Sequence, residues 1–195
     1  MHEAAPSALT AWSNFYVIIG SSAAALTGLL FVVITLVAGD RSRNTSDGVS
    51  TFTTPTVVHF SVALFISAVL SAPWSSLIYA GVVLALTGFF GIAYIGLVIH
   101  RMRTRLGPLY RPQIDDWISY GIVPLIAYGT IFVAAVRLAA APAGTLFALA
   151  GGTMLLIFLG IHNAWDVVTF IAIDQGRERD AARASAEPPP QEISS

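Results

Sequence analysis

Five long apolar runs, residues 15–38, 55–72, 77–99, 117–139 and 145–173, alternate with short polar segments along the chain. Each run is close to the roughly 20 residues that a helix needs to cross a 30 Å hydrocarbon layer. The pattern therefore predicts an all-α, polytopic transmembrane helix bundle with five spans. Trp12, Ser13, Asn14 and Tyr16 lead into the first run, which places Trp and Tyr at headgroup level, and Gly39 and Asp40 close it. Pro55 suits the first turn of the second helix, with Thr54 as its cap. The turn at 73–76 is so short that spans two and three are expected side by side as an antiparallel hairpin. Residues 140–144 close a second hairpin between spans four and five. Pro124 removes a backbone donor from span four and predicts a kink there. Residues 100–116 read as a loop, and the polar, proline-rich tail 174–195 as disordered, although its first turns can continue helix five.

The arginines divide unevenly between the two ends of the spans. Nine of the ten (Arg41, Arg43, Arg101, Arg103, Arg105, Arg111, Arg177, Arg179 and Arg183) fall on one side, and only Arg137 on the other. The positive-inside rule then puts the N-terminus outside and the C-terminus in the cytoplasm. Arg101, Arg103, Arg105 and Arg111 form the most basic segment, suited to anionic lipid, although orientation alone accounts for them equally well.

Composition narrows the function classes. Apolar residues make up 55% of the 195 and charged residues only 11%, well below the quarter or so of a soluble domain. The formal charge of −1 leaves no global field to recruit nucleic acid. The chain has no cysteine, which excludes disulfides, thiolate metal sites and thiol catalysis. It has no phosphate-binding glycine loop, dinucleotide fingerprint or HExxH pair, so neither a cofactor nor a metal is expected, no residue is assigned a catalytic role, and an enzyme is not expected.

Within lipid, helices associate by close packing and interhelical hydrogen bonds, because the surrounding tails are as apolar as the side chains. Small residues at four-residue spacing permit that approach. Gly20, Ala24 and Gly28 form such a stripe on span one, Gly81, Ala85 and Gly88 on span three, and Gly144, Ala148 and Gly152 on span five. These stripes serve packing within one protomer, or contact with a second copy or another membrane protein.

The stretch 12–34, WSNFYVIIGSSAAALTGLLFVVI, resembles the first span of small bacterial multi-span membrane proteins that read F-[FY]-V, then G, then A-A-L-T-G-L, then F-V. The matching residues are Phe15, Tyr16, Val17, Gly20, Ala24, Ala25, Leu26, Thr27, Gly28, Leu29, Phe31 and Val32. The resemblance covers one span in five and implies a bacterial inner-membrane location, with no established activity.

Ionisable side chains inside a bilayer cost from about 2.5 kcal/mol upward and call for a partner or a purpose. Span five carries His162, Asn163 and Asp166, and His162 and Asp166 share a face at i, i+4. Span two carries His59 near the same membrane side. If helices two and five touch, His59, His162 and Asp166 form a titratable cluster, with Asn163 at its edge, able to relay protons or bind a cation. Alternatively, His162 and Asp166 satisfy each other and pin helix five to a neighbour. Two functions follow: a non-enzymatic assembly or regulatory component of the membrane, or a small proton- or cation-conducting channel or transporter.

Overall fold

A computed structural model describes residues 8–39, 46–105 and 117–186, and among these the chain is helical with short turns. The helices are α1 (Ser13–Gly39), α2 (Ser46–Ser71), α3 (Leu77–Arg105), α4 (Val123–Arg137) and α5 (Pro142–Ala186). A π-helical turn, Ile118–Ile122, runs directly into α4. Five apolar helical stretches are long enough to cross a bilayer, so the chain is a multi-pass membrane protein by length and composition. Side chains such as Ile18, Phe31, Phe90, Val136, Phe147 and Trp165 lie on the outer surface, where water would penalise them and lipid does not.

Three helix ends lie well outside the expected apolar runs. Helix α2 begins at Ser46 and carries Pro55 within it, where Thr54 is no cap. Helix α3 continues to Arg105, past the expected end at residue 99. Helix α5 continues to Ala186, so 174–186 is helical rather than disordered. Hydropathy reports where hydrocarbon ends. A backbone already wound continues into water at little cost, since propagation adds one bond for each residue fixed. Residues 187–195, like 106–116, lie outside the described residues.

Pro124 acts as expected by its chemistry and differently in form. Its nitrogen donates no hydrogen bond, and the turn before it widens to π geometry, with Val123 N–H bonded to the Ile118 carbonyl. Span four is thus a π-helical turn followed by α4.

Neighbour relations follow small residues more than loop length. Helices α1 and α2 pack closely, α2 packs on α5, α5 on α4, and α4 on α3. The hairpin between α4 and α5 forms as expected. That between α2 and α3 does not: these helices share far less contact than any of the four principal pairs, despite their short connection. That turn is still well built. The Trp74 indole N–H donates to the Val69 carbonyl, and Ser76 Oγ accepts from Ile78 N–H at 3.3 Å, capping α3. Helix α3 turns instead to α4 because its glycines fit there. A Cβ at Gly88 would lie 2.8 Å from the Phe132 backbone nitrogen and Cα, and one at Gly81 2.9 Å from the Ala135 carbonyl oxygen. Ala85, between them, is half-buried.

The other stripes are used in part. Gly20 faces Ser67 of α2, with 3.0 Å from its notional Cβ to the Ser67 Cβ, whereas Ala24 is exposed and Gly28 opens onto empty space. Gly152 meets Ile131 and Ala127 of α4, Ala148 is half-buried, and Gly144 is open. Gly160 takes the Phe60 ring of α2, and Gly91, outside the four-residue spacing, takes the Tyr128 ring. Helix α1 is peripheral and α5 central: 11% of the first apolar stretch is buried against 56% of the last. Trp12 stacks edge-on to Phe147 at 4.7 Å, tying the start of α1 to the start of α5 at one end of the bundle.

These fits separate two glycines by experiment. Gly88→Ala is expected to destabilise the protein by about 1–3 kcal/mol, because helix backbones must part. Gly28→Ala is expected to stay within about 1 kcal/mol of the parent. Reversible unfolding in detergent or bicelles measures both, and equal effects would contradict the assigned α3–α4 contact.

Candidate functional site

The polar groups that matter lie on α2, α4 and α5. Their placement starts from two glycine contacts on α5. Gly152 points at Ala127 and Ile131 of α4, and Gly160 points at Phe60 of α2. At about 100° per residue, Asn163 lies about 20° from the Gly152 direction, within the sector bounded by Gly152 and Gly160. It therefore projects into the angle between α2 and α4, and it is fully buried. His162 and Asp166 turn to the other side of Gly152 by about 80° and 40°. Their side chains are 56% and 49% exposed, and His162 Nε2 approaches Asp166 Oδ2 at 3.4 Å.

The sequence-derived cluster is accordingly divided. His162 and Asp166 partner each other, as their spacing implies, on the outer surface of α5 at the end of its apolar stretch Pro142–Asp166. His59 is fully buried on α2 and shares a 3.0 Å hydrogen bond, through Nδ1, with the Tyr128 hydroxyl of α4. His59 and Asp166 thus have different partners and different surroundings. Asn163, expected at the edge of the group, is buried like His59, while His162 and Asp166 are not.

Tyr128 completes the inner group. Its ring occupies the space over Gly91 of α3, and its hydroxyl crosses to His59, so one side chain of α4 touches α3 and α2 together. Helix side chains lean toward the N-terminus, which carries the hydroxyl from mid-span down to the level of His59. By a rise of about 1.5 Å per residue, Asn163 is level with the π-helical turn, whose Ser119, Tyr120 and Gly121 are buried. Thr56, one turn before His59, is also buried.

Several polar atoms in the interior have no hydrogen-bond partner among the described residues: His59 Nε2, Asn163 Oδ1 and Nδ2, and, at the opposite end, the Tyr16 hydroxyl. Each such group carries a desolvation cost of about 1–3 kcal/mol. The contrast with the buried hydroxyls is informative. Ser67 and Thr153 donate to carbonyls four residues back in their own helices, at 2.8 and 2.7 Å, and so are satisfied locally. His59 and Asn163 are too bulky in shape and too rich in polar atoms for that solution.

Tyr128 and the burial of Tyr16 were not anticipated from sequence. Tyr16 was expected in the interfacial belt, yet it is almost fully enclosed. The available signal for Tyr128 was its position: an amphipathic ring in mid-span, away from both interfaces, needs a polar partner inside the bundle. Of the basic residues, Arg101 and Arg103 are exposed on the last turns of α3, and the Arg103 guanidinium lies 5.4 Å from the centre of the Trp117 ring. That cation–π contact ties α3 to the residue preceding the π-helical turn. Arg105 ends α3, its side chain outside the described set, and Arg111 lies outside the described residues.

Among the described residues, no three His, Asp or Glu side chains gather closely enough to hold a metal ion. Comparison of the chain with protein-family models, curated proteins and solved structures finds no match, so its chemistry is argued from its own residues.

A double-mutant cycle tests the inner contact. Tyr128→Phe and His59→Leu are each expected to destabilise the fold, with a coupling of about 0.6–1.7 kcal/mol, the range of interhelical side-chain hydrogen bonds in membranes. Zero coupling would mean that the hydroxyl and the imidazole do not meet.

Proposed function

We propose that this chain is a non-enzymatic assembly or regulatory component of a bacterial inner membrane, working by lateral contact with another membrane protein. The N-terminus lies outside and the C-terminus in the cytoplasm, on the support of the nine-to-one arginine division. The location rests on the first-span resemblance.

The observation that carries this reading is the shape of α5. Its 45 residues extend about 67 Å, of which about 30 Å lies beyond Asp166, past the end of its apolar stretch. Where the helix leaves the hydrocarbon it presents an outward His162–Asp166 pair beside Trp165, which is 71% exposed. A helical arm with an ionisable pair and an aromatic anchor at its root suits a contact surface, since Trp and paired charges are what partner proteins use for specificity.

A second reading has its own support. The buried His59, hydrogen-bonded to the Tyr128 hydroxyl, and the buried, unpaired Asn163 have the groups of a short proton relay. In that reading the path uses His59, Tyr128 and Asn163, and the outward His162 and Asp166 contribute at its cytoplasmic end.

Proton flux in liposomes and photo-crosslinking in cells together discriminate between the two. Purified protein in liposomes loaded with a pH dye is expected to pass no more protons than empty liposomes. A photo-crosslinker at position 165 is expected to give one discrete protein adduct in cells, and one at position 82, exposed on α3, none. Proton flux that His59→Gln abolishes would overturn the assembly reading, as would lipid-only adducts at 165. Protease added to inside-out vesicles is expected to trim the chain beyond Asp174, and protection there would reverse the orientation.

A further inference from the structure

A groove of about 630 Å³ opens on the outer surface between α4 and α5, lined by Ile126, Gly129, Val133, Arg137, Gly144 and Ala148 among others. It exists because two glycines withhold side chains: a Cβ at Gly129 or at Gly144 would meet no atom within 4 Å. Ile126 and Val133 give it apolar walls. At one end stands Arg137, exposed, on the last turn of α4 and directly before the turn at 138–141. Its guanidinium forms no ion pair among the described residues. The cation complements the α4 dipole, which explains a positive charge at this point but not the groove that leads away from it.

Two dimensions identify the occupant. From Arg137 to Ile126 is eleven residues, about 16 Å of helix. Half of a 30 Å hydrocarbon core is about 15 Å. The groove therefore reaches from headgroup level to the midplane and stops. A partner helix crossing the membrane would need a track through both leaflets, whereas a single acyl chain needs one. Among the described residues that line the groove, the one charged group, Arg137, is positive and stands where a lipid phosphate lies.

We propose that the α4–α5 groove is a binding site for an anionic phospholipid of the leaflet on the 138–141 side, with one acyl chain between Gly129 and Gly144 and the phosphate on Arg137. This site is separate from the α5 contact surface at His162 and Asp166, which lies at the other membrane face. It is also separate from the basic segment that begins at Arg101.

The test is native mass spectrometry of the full-length protein, released from detergent after exposure to phosphatidylglycerol or to phosphatidylcholine of the same acyl chains. The parent protein is expected to retain phosphatidylglycerol preferentially. Arg137→Gln is expected to lower that preference on the order of fivefold, the ratio that corresponds to the roughly 1 kcal/mol of an arginine at an anionic surface, and to leave phosphatidylcholine retention unchanged. Gly144→Leu fills the groove from a position with free space, and is expected to reduce retention of both lipids while the unfolding midpoint holds. The effect of Arg137→Gln is expected to be the same in an Arg101→Gln background, which separates this site from the basic segment at the other face. Equal retention of the two lipids by the parent, or undiminished phosphatidylglycerol on Gly144→Leu, would overturn the proposal. A dimer that Gly144→Leu converts to monomer, with no change in lipid, would overturn it in favour of a second copy in the groove.

Discussion

The seat of the Tyr128 ring on Gly91 sets the distances among three helices. Glycine has no side chain there, so α3 can come close enough for the ring of α4 to lie on its backbone, and the hydroxyl then emerges toward His59 of α2. In lipid this fit carries more weight than the hydrogen bond. Interhelical side-chain hydrogen bonds contribute about 0.6 kcal/mol on average, because an unpaired group in the membrane finds other partners. A misfit in a packed interface costs about 1–3 kcal/mol and propagates through both helices. The hydrogen bond chooses a register, and the glycine contacts supply most of the adhesion.

The same logic orders the rest of the bundle. Gly81 and Gly88 draw α3 to α4, Gly152 and Gly160 seat α5 against α4 and α2, and Gly20 sets α1 against α2. Helix α5, buried on two flanks, becomes the spine, and α1 remains at the edge with most of its surface toward lipid. That division decides what each polar residue can do. Asn163 points into the spine's buried sector and His162 with Asp166 away from it, so one short stretch of α5 serves an interior polar centre and an external surface. The groove beside Arg137 arises at the opposite end of the same spine, where Gly129 and Gly144 oppose no filling side chain.

Spans were legible in the sequence because a bilayer imposes a length, and no soluble fold needs five such runs. The i, i+4 contact of His162 with Asp166 was legible because a single helix determines it. Helix ends were not: Ser46 and Ala186 lie well outside the hydrophobic runs, where hydropathy falls but winding continues. Neighbours were legible only in part, since the α4–α5 hairpin forms and the α2–α3 hairpin does not. A short turn at 73–76 argued for α2 beside α3, yet loop length only limits distance at one end, and glycine fit governs the remainder. Gly91 lies outside the four-residue stripe because it follows Gly88 by three. The partner of His59 stands 69 residues away, a separation across which no local pattern operates.

A compensating pair of substitutions reaches the centre of this account. Gly91→Ala puts a methyl group where the Tyr128 ring lies, and Tyr128→Leu vacates much of that volume, so the two changes act on one space. The unfolding free energies of the parent, both single variants and the double variant form a cycle. The account predicts that the double variant is more stable than the sum of the single effects allows, by at least about 1 kcal/mol. Strict additivity would show that the ring and the glycine do not touch, and the proposed arrangement of α2, α3 and α4 would fall with it.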